Sequence, residues 1–278
     1  MQATPLKTAQ REPGEHTRAR AIVRFNALMF HGLATASFLE TAVPLHVDRL
    51  NPVFAAHPDA RLWLEQVWWP QRAEHGRRLR AYVEATWPEF DWNAAYEEFH
   101  DNYRPRLGVE GRRGVALEAL GLCVAAAQAA VFYRALANCA DEPSLRALVR
   151  QAACDHAAFF DYFRTIFERC KRHERAGFAE GWRTVKAACR SARDSDVGTA
   201  FEPLARNWNG NSTVPQLDYA EFVQRMAQLI QRHAALGPIE RLLFRPWLKR
   251  ERATPPPALE MPVVRRPARG LSFAPQPG

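Results

Sequence analysis

The sequence has few cysteines, and none of the five belongs to a Cys-x-x-Cys pair. An odd number of separated cysteines argues against a disulfide framework and against a structural zinc cluster. The first sixteen residues are polar and interrupted by proline and glycine, so they lack the apolar core of a secretory signal. Together these absences predict a protein of a reducing, cytoplasmic compartment.

Lysine is also scarce, because only four of the 38 basic residues are lysine and the others are arginine. With 30 acidic residues the formal net charge is +8. An arginine excess is suited to binding phosphates or carboxylates, although a general bias of composition produces the same excess. The charge therefore leaves a polyanion partner open without identifying one.

Long apolar runs and strand patterns are missing as well. The longest uncharged run starts at Ala119 and stops at Arg134, which is too short to cross a bilayer. The chain carries no Gly-x-Gly-x-x-Gly, phosphate-binding loop, Gly-x-Ser-x-Gly, His-Glu-x-x-His or internal repeat. A hydrophobic fraction of 47% nevertheless predicts an ordinary folded protein without a membrane span.

Apolar residues recur at spacings of three and four along most of the chain, which predicts helices. Four long helices are predicted over 25–50, 59–84, 112–140 and 144–174, with shorter ones over 91–103, 177–192 and 218–236. Pro44 predicts a kink in the first helix, and Asp59 and Ser144 are predicted N-caps. The predicted fold is an all-α bundle of four long helices with additional C-terminal helices.

Three regions follow from this pattern. Residues 1–17 form a polar segment that we expect to be disordered, and residues 18–252 form the helical bundle domain. Residues 253–278 are rich in proline and lack an apolar stripe, so they predict a disordered tail.

Several polar residues fall inside the apolar stripes of the long helices. Glu40 lies on the first helix, Arg72 and His75 on the second, and His156 on the fifth. Burying such groups costs several kcal/mol each unless they are paired or bind a metal. We therefore expect these residues to meet one another in the core.

The same residues belong to segments that resemble a known family. Leu39-Glu40-Thr41-Ala42-Val43-Pro44 is similar to the first ligand helix of the soluble acyl carrier protein desaturases, which belong to the ferritin-like superfamily. Trp68-Trp69-Pro70-Gln71-Arg72-Ala73-Glu74-His75-Gly76 resembles that family's second-helix signature, and Asp155-His156-Ala157-Ala158-Phe159 lies where the family has Asp-Glu-x-x-His. The resemblance extends over roughly residues 25–167.

The resemblance implies a metal centre that has lost most of its ligands. Its positions correspond here to Glu40, Arg72, His75, Cys123, His156 and Phe159, of which only Glu40 and His75 keep the family's ligand type. A guanidinium at the second of these positions places fixed positive charge where the metal ions would lie. An ordinary diiron centre is therefore not expected, and we expect no cofactor.

Three functions stay open at this point, and no catalytic residue is assigned. The first is a desaturase-like protein that binds an acyl chain or an acyl carrier protein without diiron chemistry. The second is an oxidoreductase with a rearranged iron or zinc centre, whose ligands would be Glu40, His75, Cys123 and His156.

The third function is a polyanion-binding module, although no nucleic-acid motif is present and nucleic acid is not the expected partner. The resemblance implies instead that surface arginines dock the acidic helix of a carrier protein. The candidate residues are Arg77, Arg78 and Arg80. A homodimer also stays open.

Overall fold

The computed structural model describes residues 20–108, 114–208 and 217–245, and every regular element in these ranges is helical. The α-helices are α1 Ala27–Thr41, α2 Val43–Leu50, α3 Pro58–Trp63, α4 Trp69–Thr86, α5 Trp92–Tyr103, α6 Val115–Cys139, α7 Pro143–Cys170, α8 Phe178–Ser191, α9 Gly198–Arg206, α10 Tyr219–His233 and α11 Pro238–Leu243. Two π-helical turns, Leu64–Trp68 and Ala192–Val197, precede α4 and α9, and a 3-10 turn, Arg104–Gly108, follows α5. The all-α class is confirmed. The predicted disordered segments at 1–17 and 253–278 lie outside the described residues.

The first predicted long helix is divided into two. α1 ends at Thr41, and α2 begins at Val43 with Pro44 in its first turn. Proline has no backbone N–H and its ring clashes with the carbonyl four residues earlier, so a straight helix cannot continue through it. The break leaves Glu40 in the last turn of α1, beside the kink.

The second predicted long helix is helical throughout, but a π-helical turn interrupts its α-helical hydrogen bonding. α3 leads into the π-helical turn Leu64–Trp68, and α4 follows with Pro70 in its first turn. The residue before α3 is His57, and Asp59 lies inside the first turn, so the prediction of Asp59 as the N-cap is wrong. π-Helical turns occur often at functional sites, and this one ends at Trp68, four residues before Arg72.

Side-chain caps fix the starts of three further helices. Asp91 accepts a hydrogen bond from the Ala94 backbone N–H, and Asp218 accepts one from Glu221. At the start of α7 the cap is Glu142, which accepts from the Leu145 backbone N–H, so the prediction of Ser144 is wrong. Each carboxylate satisfies one N–H that a helix start leaves unpaired.

The longest helices pack around a shared interior. α6 and α7 form the most extensive helix pair, α1 lies against α4, and α4 also contacts α7. α8 and α10 cover the other side of α6, and α10 also contacts α1. The interior between α1, α4, α6 and α7 therefore receives side chains from all four of these helices.

α6 is the one helix of the described residues whose length and composition match a membrane span. Within its most apolar window 44% of the residues are buried inside the protein, against neighbours that include α7, α8 and α10. The core helix of a folded protein has the same features, so α6 gives only a weak indication of a span and no clear span is present.

Candidate functional site

A single buried carboxylate, Glu40, is the centre of the polar cluster between the long helices. Its Oε2 accepts a hydrogen bond from Arg72 Nε at 2.7 Å. Its Oε1 accepts from the Tyr133 hydroxyl at 2.9 Å and from His156 Nε2 at 2.8 Å. Four helices, α1, α4, α6 and α7, thus meet at one side chain that is only 3% exposed.

Arg72 is held in place on three sides. Besides the bond from Nε to Glu40, its Nη2 donates to the Leu39 carbonyl at 3.0 Å. Its guanidinium carbon lies 5.1 Å from the centre of the Trp68 ring, in the geometry of a cation–π contact. The predicted pairing of Arg72 with Glu40 is present in the structure, and it orients both side chains.

The electrostatics of this cluster favour a charged Glu40–Arg72 pair with a neutral histidine beside it. Burial opposes ionisation of Glu40, but the charge of Arg72 and the hydrogen bond with His156 outweigh it and hold the pKa of Glu40 well below its usual range. Burial lowers the pKa of His156, and the charge of Glu40 offsets this only in part. Burial raises the pKa of Tyr133, as does the adjacent Glu40 charge, so its phenol stays a donor.

His75 makes a second, separate hydrogen-bonded contact with a carboxylate. Its Nε2 lies 2.8 Å from Asp155 Oδ2, and its ring centre lies 5.9 Å from that of His156. With Nε2–H donating to a carboxylate, Nδ1 of each histidine carries a lone pair. Both Nδ1 atoms are buried and have no hydrogen-bond partner in the described part of the chain.

Three of these residues form a possible metal-binding triad. Glu40, His75 and His156 each offer one ligand atom, and these atoms lie within 4.8 Å of one another. A histidine whose other ring nitrogen donates to a carboxylate is the usual form of a metal ligand, which Asp155 would supply for His75. Against a metal, the Arg72 guanidinium already occupies one oxygen of Glu40 and adds a positive charge there.

Two predicted site residues, Cys123 and Phe159, lie in apolar surroundings. Cys123 is buried, its Sγ lies 3.8 Å from the Phe160 carbonyl oxygen, and burial raises the pKa of its thiol to about 12. Cys123 does not belong to the possible metal-binding triad, so the predicted set of four metal ligands is reduced to three. Phe159 packs edge-on against His156 at 5.2 Å between ring centres and forms part of an apolar cluster.

The predicted partner-binding arginines lie on the exposed face of α4. Arg77 and Arg78 both pair with Glu74, and Arg80 pairs with Glu84. Their charges are therefore partly neutralised within the helix itself. This arrangement fits a solvated helix face as well as a docking surface.

An apolar cavity of about 190 Å³ adjoins the polar cluster. Glu40, Arg72, Tyr133 and His156 form one part of its wall, and most of the remaining lining residues are apolar. Ala125, which is exposed, also lines it, so the cavity reaches the surface there. The arrangement can enclose an apolar chain and hold a polar group beside Arg72.

Further polar groups line the cavity. The Tyr103 hydroxyl donates to Asp196 Oδ1 at 3.1 Å and lies 3.2 Å from His46 Nε2. Thr35 Oγ1 and Gln128 Oε1 are buried in the wall, and neither has a hydrogen-bond partner within residues 20–108, 114–208 and 217–245. These atoms are available to a bound molecule.

Several of these residues carry little signal in the sequence. Tyr133 lies in an alanine-rich helix at the end of an uncharged run, and a tyrosine there does not reveal a hydrogen-bond partner. Asp155 precedes His156 in the segment that resembles the family, and the resemblance gives it no role here. Asp196 and Tyr103 come from a π-helical turn and a short helix, so their convergence could be seen only in three dimensions.

Comparisons with models of known protein families, with characterised proteins and with solved structures found no match. The residues of the site and the cavity beside them are therefore the basis for inferring a function.

Proposed function

We propose that this protein binds an acyl chain in the apolar cavity and that an internal ion pair has replaced its metal centre. The observation that carries the proposal is the bonding of Glu40, which accepts from Arg72, Tyr133 and His156 at the edge of the cavity. The carboxylate is fully hydrogen-bonded without a metal ion, and the adjoining space is lined mainly by carbon. These two features are sufficient for a protein that binds an acyl chain without metal chemistry.

The ferritin-like, desaturase-type relationship is part of the proposal. It is supported by the resemblance of the segments around Glu40, His75 and His156 and by the fact that all three lie in one cluster. Helices α1, α4, α6 and α7 would be the four long helices of such a bundle. The pairing of His75 with Asp155 fits a retained partner of a former metal ligand.

The charge of Arg72 is the reason for proposing a protein without a metal. A centre with two iron ions needs several carboxylates, whereas this cluster holds one carboxylate that is already neutralised by a guanidinium. A metal ion bound by Glu40 would lie beside the Arg72 guanidinium or displace it. A displaced Arg72 would be a buried cation without its partner, which is costly.

A second candidate function is a metal-dependent oxidoreductase with one iron or zinc ion. The observation that favours it is the triad of Glu40, His75 and His156, with unpartnered Nδ1 atoms on both histidines. Two histidines and one carboxylate are also the ligands of a common class of non-haem iron site. Here that site would place a metal ion beside the Arg72 guanidinium.

The proposed partner is an acyl carrier protein that presents the chain in the cytoplasm. Arg77, Arg78 and Arg80 are the proposed contact residues, because their side chains are exposed on one segment of α4. An acidic helix would compete with Glu74 and Glu84 for these arginines. Binding to a carrier protein should therefore weaken strongly with salt.

Calorimetric titration with acyl-pantetheine thioesters of increasing chain length tests the proposal. We expect saturable binding of one molecule per chain by at least one member of the series, in the presence of a chelator. The variant Ala129→Leu should abolish or strongly weaken it, because Ala129 lines the cavity and the added carbons would occupy that space.

The matched control is Ala130→Leu, which alters the next residue of α6, outside the cavity wall. It should leave the affinity unchanged. Failure of the whole thioester series to bind, or equal loss in both variants, would contradict the proposed function. Binding that appears only after iron or zinc is added would favour the second candidate.

A further inference from the structure

The walls of the cavity limit its occupant. Along α1 the wall is formed by one helical face that runs from Gly32 to Glu40. Eight residues of helix extend about 12 Å, so the polar residue Glu40 and the small residue Gly32 lie at opposite ends of this wall. A molecule that fills the cavity and contacts the polar cluster therefore lies alongside α1.

Packed apolar side chains line the cavity at the Gly32 end of this wall. A Cβ atom added to Gly32 would lie 3.1 Å from Met226 Cε, so α1 and α10 are in close contact there. Phe222 and Phe244 also line the cavity. A molecule whose oxygen lies beside Arg72 would thus place its carbon atoms against apolar side chains.

The volume sets the size of the chain. An apolar cavity of about 150 Å³ is enough to hold one benzene molecule, so 190 Å³ accommodates about eight non-hydrogen atoms. A longer chain would have to leave part of its length outside the cavity, for example at the opening beside Ala125. Carbon atoms that lie outside the cavity would add little to the binding affinity.

Arg72 supplies the polar contact at the other end. Its Nε and Nη2 atoms are bonded to Glu40 and to the Leu39 carbonyl, while Nη1 donates no hydrogen bond within the described ranges. The side chain lines the cavity and is 12% exposed, so it is the natural donor to an oxygen of a bound molecule. That oxygen has to be an acceptor.

Charge excludes an ionised ligand. The positive charge of Arg72 is matched by Glu40, and the second carboxylate of the wall, Asp196, accepts a hydrogen bond from Tyr103. An added carboxylate would be a buried charge without its own counter-ion, and such charges are tolerated only when paired. A ligand with a neutral carbonyl or hydroxyl oxygen avoids this penalty.

We infer that the cavity selects a neutral molecule of about eight non-hydrogen atoms whose acceptor oxygen binds Arg72. This inference rests on the proposed function and narrows it to short acyl groups in uncharged form, such as amides or thioesters. Free fatty acid anions and long chains are excluded from full occupancy of the cavity.

Hexanamide and hexanoate test the charge requirement, because they have the same number of non-hydrogen atoms and nearly the same shape. Titrations near neutral pH should show hexanamide binding at least tenfold more tightly than hexanoate. If hexanoate matches or exceeds hexanamide, the inference is wrong.

Chain length gives an independent test. If each added CH₂ group were buried, affinity would rise about fourfold per carbon. The amide series should follow this rise up to about six carbons and then level off, so dodecanamide should gain little over hexanamide. A continued rise to twelve carbons would overturn the size limit.

The variant Glu40→Gln reverses the expected preference. It removes the negative charge and leaves Arg72 as an unmatched cation, so hexanoate should now bind more tightly than hexanamide. If the folded variant still prefers hexanamide to hexanoate, the charge argument is contradicted. If the variant does not fold, the comparison of the two ligands in the unmodified protein still tests the charge requirement. If the unmodified protein binds neither of these ligands and none of the thioesters, the proposed function itself is refuted.

Discussion

The variant Arg72→Ala is the most informative single perturbation of the cluster. It removes the bond from Nε to Glu40, the bond from Nη2 to the Leu39 carbonyl and the contact with the Trp68 ring. Glu40 keeps the hydrogen bonds from Tyr133 and His156, but it loses its only fully charged partner in the described cluster. The variant therefore leaves a buried carboxylate without its counter-ion.

The expected loss of stability follows from leaving this buried charge unpaired. Removing one partner of a buried ion pair costs about 3–5 kcal/mol, and Arg72 and Glu40 are 12% and 3% exposed. Because a folded protein is stable by only about 5–15 kcal/mol, this is a large fraction of the total. A well-packed neutral replacement of both partners should be far less harmful.

Urea denaturation of a set of variants measures these differences. Arg72→Ala should lower the free energy of unfolding by about 3–5 kcal/mol, and Arg72→Met combined with Glu40→Gln should recover more than half of that loss. Arg77→Ala is the control, because Arg77 is exposed and, among the residues that the structure describes, pairs only with Glu74 of the same helix. If Arg72→Ala is as harmless as Arg77→Ala, the ion pair does not hold the core and our account of the cluster is refuted.

Three further predictions concern neighbouring features. Gly76→Ala should destabilise by about 1–3 kcal/mol in thermal denaturation, because its Cβ would lie within 3 Å of the α1 backbone, whereas Gly121→Ala should be neutral or stabilising; equal effects would refute the close contact. Tyr133→Phe should cost about 1.5–3 kcal/mol in urea, since a donor to the charged Glu40 is lost, and a change below the error would show that this bond is unimportant. Burial lowers the pKa of His31 to about 4 from 6.5, so the unfolded chain binds a proton that the folded protein excludes, and stability should fall as pH drops from 6.5 to 4. His31→Phe should flatten this decline, and an unchanged pH profile would contradict the assignment.

The helical class and the core position of the site follow from sequence pattern. Glu40, Arg72 and His156 could be identified because each interrupts an apolar stripe, and burial of a polar group requires a partner. Helix starts were less predictable, because Glu142 rather than Ser144 caps α7 and Asp59 lies inside α3 rather than before it. Several side chains compete for the same N–H groups, and only the folded geometry decides between them.

The rest of the site depends on contacts between distant segments. Tyr133 lies 93 residues from Glu40, and a tyrosine in an alanine-rich helix gives no sign of its hydrogen-bond partner. Cys123 was placed at the centre by the resemblance alone, and the rotation of α6 instead directs its thiol towards the Phe160 carbonyl. The cavity is equally hidden in the sequence, because it is the space that α1, α6 and α10 leave between them.

The central claim is that Arg72, rather than a metal ion, neutralises Glu40. Metal analysis of the purified protein after incubation with iron or zinc, combined with denaturation in a chelator, tests this most directly. We predict substoichiometric metal and an unchanged unfolding midpoint when the chelator is present. One tightly bound metal ion per chain, with a marked loss of stability on chelation, would contradict the account.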